Sequence, residues 1–284
     1  MGQAMTQTPG APDTTDRNIT RNRWLEFKKP IPLRSTILLG VAAWLAFFGL
    51  WESAVVFGWV NKLFMPPPET VLSGLYKLFA ENDFATDVGI SVLRIVVSFS
   101  FACAIAVPLG ILMGSFKRIE AIVNPLVSAW RYLPAPSFIP LLLMWFGTGE
   151  RQKIALLFIG VFWFLISLIM DHVKSVREEL IETSMTLGGS RWQILWTVVV
   201  PASLPDIVTA MRQMLAVSWT YLVIAEIVAA TTGIGAVMMR AKRFLHVEKI
   251  MAGIIIIGVL GLSFDFLFRF ARRRLFPYLN EPSS

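Results

Sequence analysis

Residues 95–116 read IVVSFSFACAIAVPLGILMGSF, 22 residues without one charged side chain. As a helix this stretch is about 33 Å long, enough to cross a hydrocarbon core of about 30 Å. No single water-soluble core needs such a run. The apolar character extends back to about Val88, where the span begins. Moving outward, Ser35–Asn61 carries one charge, Glu52. Ala121–Gly149 carries one, Arg131, and Ile154–Met170 none. Leu204–Val228 holds Asp206, Arg212 and Glu226, and Ile250–Phe270 completes the series. The expected fold is therefore all-α and polytopic, with six transmembrane helices.

Composition supports that reading. The chain has 284 residues, 55% of them hydrophobic, with 19 glycines in addition and only 16% charged. Soluble domains average about 25% charged. Lipid must solvate much of this surface. Collagen-like, disordered and disulfide-scaffold classes are excluded, the last because Cys103 is the single cysteine. The net charge of +7 could suggest nucleic acid. With six spans it is better read as positive charge gathered at cytoplasmic helix ends, and no nucleic-acid partner is expected. With both termini inside, cytoplasmic segments hold 15 Lys and Arg against eight outside. That excess places both termini in the cytoplasm. The apolar run after Ser35 follows a long polar tail and lacks a clear cleavage site, so it is read as a retained span.

The domain plan follows: a cytoplasmic tail over 1–34, a six-helix domain over 35–276 and a short tail over 277–284. Residues 1–20 read as disordered, and Arg21, Arg23, Lys28, Lys29 and Arg34 form a basic collar. Two outer connections have helical apolar spacing. One carries Val71, Leu72, Leu75, Leu78 and Phe79. The other carries Ile234, Val237, Met238, Phe244 and Leu245, with Arg240, Lys242 and Arg243 toward water.

The longest cytoplasmic connection is 171–201. Lys174–Leu187 reads as a helix that Gly188-Gly189 stops. Ser190 suits the N-cap of a second helix beginning at Arg191. Helix, glycine turn and return helix make a projecting elbow, either a structural hairpin or a docking element.

Within it, Glu182-Thr183-Ser184, then Gly188, then nine residues, then Val198-Val199-Val200-Pro201 resembles the EAA loop of ATP-binding-cassette (ABC) importer permeases. Thr183 and Ser184 stand where that pattern has two alanines. The likeness runs over 60–277. Met65-Pro66-Pro67-Pro68, Arg131-Tyr132-Leu133-Pro134, Trp145-Phe146-Gly147-Thr148-Gly149-Glu150 and Ala225–Gly235 look like the taurine, alkanesulfonate, nitrate and bicarbonate subfamily. The resemblance implies a type I importer permease of the bacterial inner membrane. It implies a homodimer of permeases, two cytosolic ATPases and an extracytoplasmic solute-binding protein. ATP and Mg would lie on the ATPases, with no cofactor on this chain. The sequence has no Walker motif of its own. By the same resemblance, coupling to the ATPase falls to Glu182, Thr183, Ser184, Leu187, Gly188, Gly189, Ser190 and Arg191.

Charges inside spans cost a few kcal/mol and each needs a role. Arg131, beside Tyr132, precedes Pro134, Pro136 and Pro140, which break the helix. It suits an anion path, or a structural tie to freed carbonyls. Arg212, with Trp219 on the same span, could face the path or snorkel to the cytoplasmic surface. Asp206 reads as interfacial. Glu226 is expected to pair with a surface cation, and Arg94 with a carboxylate such as Glu52. Asp265 and Arg269 form an i,i+4 pair. No metal constellation and no catalytic set is evident. An ion-coupled carrier or channel is the alternative function, and it would predict inverted repeats that are not seen.

Overall fold

A computed structural model describes residues 31–81 and 83–279. The N-terminal expectations for residues 1–30, including the basic collar as far as Lys29, lie outside the described residues, as do 280–284. The chain divides into two compact units, one ending at Leu50 and one from Trp51 onward.

Among the described residues the regular structure is helical and there is no strand. The helices are α1 (Leu33–Val56), α2 (Pro68–Glu81), α3 (Phe84–Ser115), α4 (Lys117–Arg131), α5 (Ile139–Phe146), α6 (Glu150–Lys174), α7 (Glu178–Thr186), α8 (Arg191–Ile194), α9 (Val200–Ala229), α10 (Ile234–Arg243) and α11 (Val247–Leu275). Five helical runs are long and apolar enough to cross a membrane: α1, α3, α6, the run Arg191–Ala229 and α11. In the first unit, α1 from Leu33 to Leu50 presents Leu38, Trp44 and Leu45 outward, as a lipid-facing helix does.

The third expected span is broken. α4 ends at Arg131, Ala135–Phe138 forms a 3₁₀ turn and α5 follows. Pro134 explains the break, since it has no N–H to continue the helix. Pro136 and Pro140 instead fall in the first turns of the 3₁₀ segment and of α5, where that N–H is not needed, and Ile139 before Pro140 stays helical at φ −53° and ψ −49°. Pro134 itself has extended backbone, with ψ of 119°.

The fifth span starts earlier than its apolar content suggests. α8 continues through a π turn, Leu195–Val199, directly into α9, giving one helical run of 39 residues. The N–H of Val200 reaches back five residues to the carbonyl of Leu195. That one-residue widening lies immediately before Pro201, which has no N–H to donate. On the other side, Lys174–Leu187 is not one helix. α6 runs on to Lys174, and a turn at Ser175–Arg177 separates it from α7.

The core lies where α3, α6 and α9 meet, built from Ile95, Ala106, Leu157, Ile166, Ile207 and Leu222. α3 and α6 approach closely because Gly110 and Gly114 lie four apart. A Cβ on Gly110 would sit 2.8 Å from Ile169, and one on Gly114 would sit 2.5 Å from Val173. Small residues at this spacing let membrane helices pack backbone to backbone. A second cluster joins Trp51 and Val55 to α2, α10 and α11. The indole of Trp51 donates to the Pro66 carbonyl at 3.1 Å, which fixes the proline-rich entry to α2.

Candidate functional site

The elbow owes its shape to local chemistry. At the end of α7, Gly189 N–H donates to the Ser184 carbonyl at 3.0 Å. Gly188 N–H donates to Met185 at 2.9 Å. These are the 6→1 and 5→2 bonds of a Schellman motif, and Gly188 takes the left-handed position with φ of +86°. A side chain there would be strained. Ser190 then caps α8, its Oγ accepting from Gln193 N–H at 3.3 Å. The hydroxyls of Thr183, Ser184 and Thr186 all donate to carbonyls four residues back. Thr183 and Ser184 thus spend their polarity within α7 and present little but their carbon atoms. This is how two hydroxyl residues replace two alanines without changing the surface.

No residue of α7 is buried. Leu187, at the tip, is 83% exposed, and Met185 and Trp192 are also open. The elbow is braced from one side. Trp192 packs on Phe116 with ring centres 5.9 Å apart, and Lys174 pairs with Glu120. A cavity of about 840 Å³ lies between the α3–α4 junction and the elbow, lined by Lys117, Arg118, Ile181, Met185 and Arg191 among others. The carboxylate of Glu179 is held below the usual range by its own backbone N–H and by Arg177.

The four residues expected along the path fall in two places. Arg131 ends α4, its Nη1 donating to Ser167 on α6 at 2.6 Å. Its partner is therefore a hydroxyl rather than the carbonyls freed by the prolines. Its guanidinium lies 5.7 Å from the ring centre of Tyr132, which is 79% exposed. Neighbouring Trp130 stacks between Phe138 and Trp163. Arg212 on α9 instead faces α11, with Nη1 3.5 Å from Asp265. Asp265 also binds Arg269 at 2.6 Å, as the i,i+4 spacing predicts. Trp219 is buried against α11, its ring centre 5.9 Å from that of Phe264. Asp206 is exposed.

The strongest polar cluster was not legible as a cluster. Arg94 on α3 is 2% exposed. Its Nε and Nη2 bind both oxygens of Glu150 at 2.6 Å, and Nη1 binds Glu226 at 2.7 Å and the Thr232 carbonyl at 2.8 Å. Glu226, fully buried, also accepts from Ser91 Oγ and from Gly235 N–H, each at 2.7 Å. Asp87 accepts from Gly233 N–H and pairs with Arg240. The clasp ties the Thr231–Gly235 turn and the ends of α6 and α9 to α3. Arg94 does serve as a structural partner for carboxylates, but Glu52 is not among them, and the partner of Glu226 is a buried cation rather than a surface one. Gly233, with φ of +106°, leaves no room for a Cβ beside Glu226 and Arg94. The sequence signal was the pair of charges at the same end of two apolar spans. Among the described residues no group of His, Cys, Asp and Glu is arranged to hold a metal ion.

With this geometry in hand, three comparisons bear on the chain. Residues 106–277 match the family described as binding-protein-dependent transport system inner membrane component. The taurine transport system permease protein TauC of Escherichia coli strain K12 is 33% identical over 265 residues, 92% of this chain and 96% of that one. A putative aliphatic sulfonates transport permease protein, SsuC of Bacillus subtilis strain 168, is 29% identical over 89% of this chain and 92% of its own. Among solved structures, an inward-facing MetNI methionine ABC transporter chain aligns with a TM-score of 0.57 at 20% identity. It covers 76% of this chain and 99% of its own. That likeness establishes a shared fold.

Proposed function

The chain belongs to the family of binding-protein-dependent transport system inner membrane components, and from that membership we propose that it passes a small anion through a path built by two copies of itself. It is a multi-pass permease subunit of an ABC importer, and ATP hydrolysis belongs to a separate subunit. The cargo we propose is taurine or a related sulfonate, with nitrate and bicarbonate as neighbouring choices. A solute-binding protein delivers it on the outer side, and two cytosolic ATPases, carrying ATP and Mg, drive the cycle. Both termini lie in the cytoplasm, in keeping with the Lys and Arg asymmetry.

The observation that carries this reading is the elbow, with an apolar tip at Leu187 that none of the described residues covers. Glu182, Thr183, Ser184, Leu187, Gly188, Gly189, Ser190 and Arg191 form the contact with the ATPase. From Arg191 the helical run continues to Ala229, a lever of about 58 Å at 1.5 Å per residue. Its far end carries Glu226 of the clasp. A push on the elbow therefore reaches the outer end of the bundle without crossing a loop. Closure of the ATPases tilts this lever and opens the path outward, and hydrolysis returns it inward. Arg131 and Tyr132 offer the anion a cation and an aromatic edge, shallow enough for release. Arg212 and Trp219 set how α9 sits on α11 and so shape the wall of the path.

Affinity purification of the tagged permease, coexpressed with its neighbouring ATPase, tests this. The wild-type chain should retain a Walker-motif ATPase and Glu182→Lys should lose it. Equal retention by both would remove the elbow from that contact.

A further inference from the structure

At the end of the bundle that holds the elbow, α9 and α11 enclose a cavity of about 240 Å³. Its lining includes Arg212, Arg269, Arg272 and Arg273, with Thr209 and Phe268. Four arginines thus line it, against one nearby carboxylate, Asp265, already shared by Arg212 and Arg269. Arg272 and Arg273 have no acidic partner within ion-pair distance among the described residues, and their backbone is fixed where Phe276 N–H closes on the Arg272 carbonyl at 2.9 Å. Among the described residues this cavity holds more cations than carboxylates, a charge balance suited to an anion.

We infer that this cavity binds the phosphate of an anionic phospholipid headgroup. A free phosphate offers the same charge and the same acceptor oxygens. The lipid is favoured by what continues from the arginines. Val259, Leu262, Phe266 and Phe270 follow one another at intervals of three and four along α11, and all are exposed. This spacing makes one stripe, and the next step along it is Arg273. Headgroup in the basic cavity and acyl chains along the stripe satisfy both features with one molecule. Basic pockets between membrane helices, at the end rich in Lys and Arg, suit such lipids. Arg guanidinium groups also match phosphate oxygens with paired hydrogen bonds.

The test uses the delipidated permease–ATPase complex in detergent, titrated with phosphatidylglycerol, phosphatidylcholine or inorganic phosphate, with bound molecules counted by native mass spectrometry. The wild type should hold phosphatidylglycerol and neither of the others. R272Q/R273Q should weaken phosphatidylglycerol binding roughly thirtyfold, about 1 kcal/mol for each charge. Arg151→Gln, an exposed cation at the other end of α6, should leave it unchanged. Equal binding of phosphatidylcholine, or undiminished binding by the double variant, would overturn the site. Inorganic phosphate binding as tightly as the lipid would assign the cavity to a soluble anion instead. Loss of the ATPase from the double variant, with lipid binding intact, would make these arginines a subunit contact and overturn the proposal too.

Discussion

Arg94 on α3 and Glu226 on α9 are 132 residues apart in sequence and 2.7 Å apart in the fold, and both side chains are buried. A pair so placed is worth little against a well-packed apolar substitute, but Glu226 without Arg94 is a buried, uncompensated charge, whereas Arg94 without Glu226 still holds both oxygens of Glu150. Arg94→Gln should therefore cost about 3–5 kcal/mol and sharply lower the yield of folded complex. Glu226→Gln should cost less, because Arg94 keeps its bidentate bond to Glu150. Glu150, 53% exposed and also bound by Lys153, can be resolvated when Arg94 is lost. The double variant should then cost clearly less than the sum of the single ones. Thermal unfolding of the purified complex measures this, and strict additivity would mean that the two residues act independently.

The elbow gives a second expectation. Gly188 holds φ of +86°, a conformation that costs a residue with a side chain about 1–2 kcal/mol, and more if it is β-branched. Gly188→Val should leave the spans in the membrane while lowering solute-stimulated ATP hydrolysis severalfold. Gly189→Ala should also impair it, since a Cβ there would lie 2.9 Å from the Ser184 carbonyl. Ordinary stimulation in both variants would show that the turn geometry is not needed.

Much of this was readable from residue order. The glycine pair and the following serine are local signals, and the turn of the elbow depends on little else, whereas the break at Ser175–Arg177 that starts α7 was not read. The apolar spans were equally plain. The partners of Arg94 were not, because Glu52, Glu150 and Glu226 are all carboxylates near the ends of apolar stretches. Only three-dimensional proximity chooses among them. The π turn before Pro201 and the early start of the fifth span were hidden for another reason. The return helix from Arg191, capped by Ser190, was legible, but Pro201 reads as a helix boundary, so its continuation through the π turn into the span was not. The third span read as one apolar run, and its prolines marked a break without saying how much helix would survive on each side. For Arg212 and Trp219 the sequence could not tell a pore face from a helix seam, since both are polar or aromatic positions on the same apolar helix.

Arg131 supplies a third expectation. Arg131→Gln keeps a polar side chain but deletes the charge. Anion flux normalised to assembled complex should fall roughly tenfold, as for the loss of about 1.4 kcal/mol of charge-assisted binding, while basal ATP hydrolysis persists. If Arg131 only ties α4 to α6, assembly should fall and flux per complex should not.

Topology can be checked directly. In a Cys103→Ser background, single cysteines at Thr8, Gly149 and Ser284 should react with an impermeant thiol reagent from outside only at Gly149. External labelling at Thr8 or Ser284 would invert or break the six-span arrangement.

The most direct measurement is uptake by proteoliposomes that contain the permease and its ATPase, with the solute-binding protein outside and labelled taurine as the first cargo. Accumulation should require ATP and Mg on the ATPase side together with the binding protein, and it should vanish with Glu182→Lys. Accumulation driven by an ion gradient alone, with no ATP and no ATPase subunit, would contradict the account and assign the chain to the ion-coupled carriers.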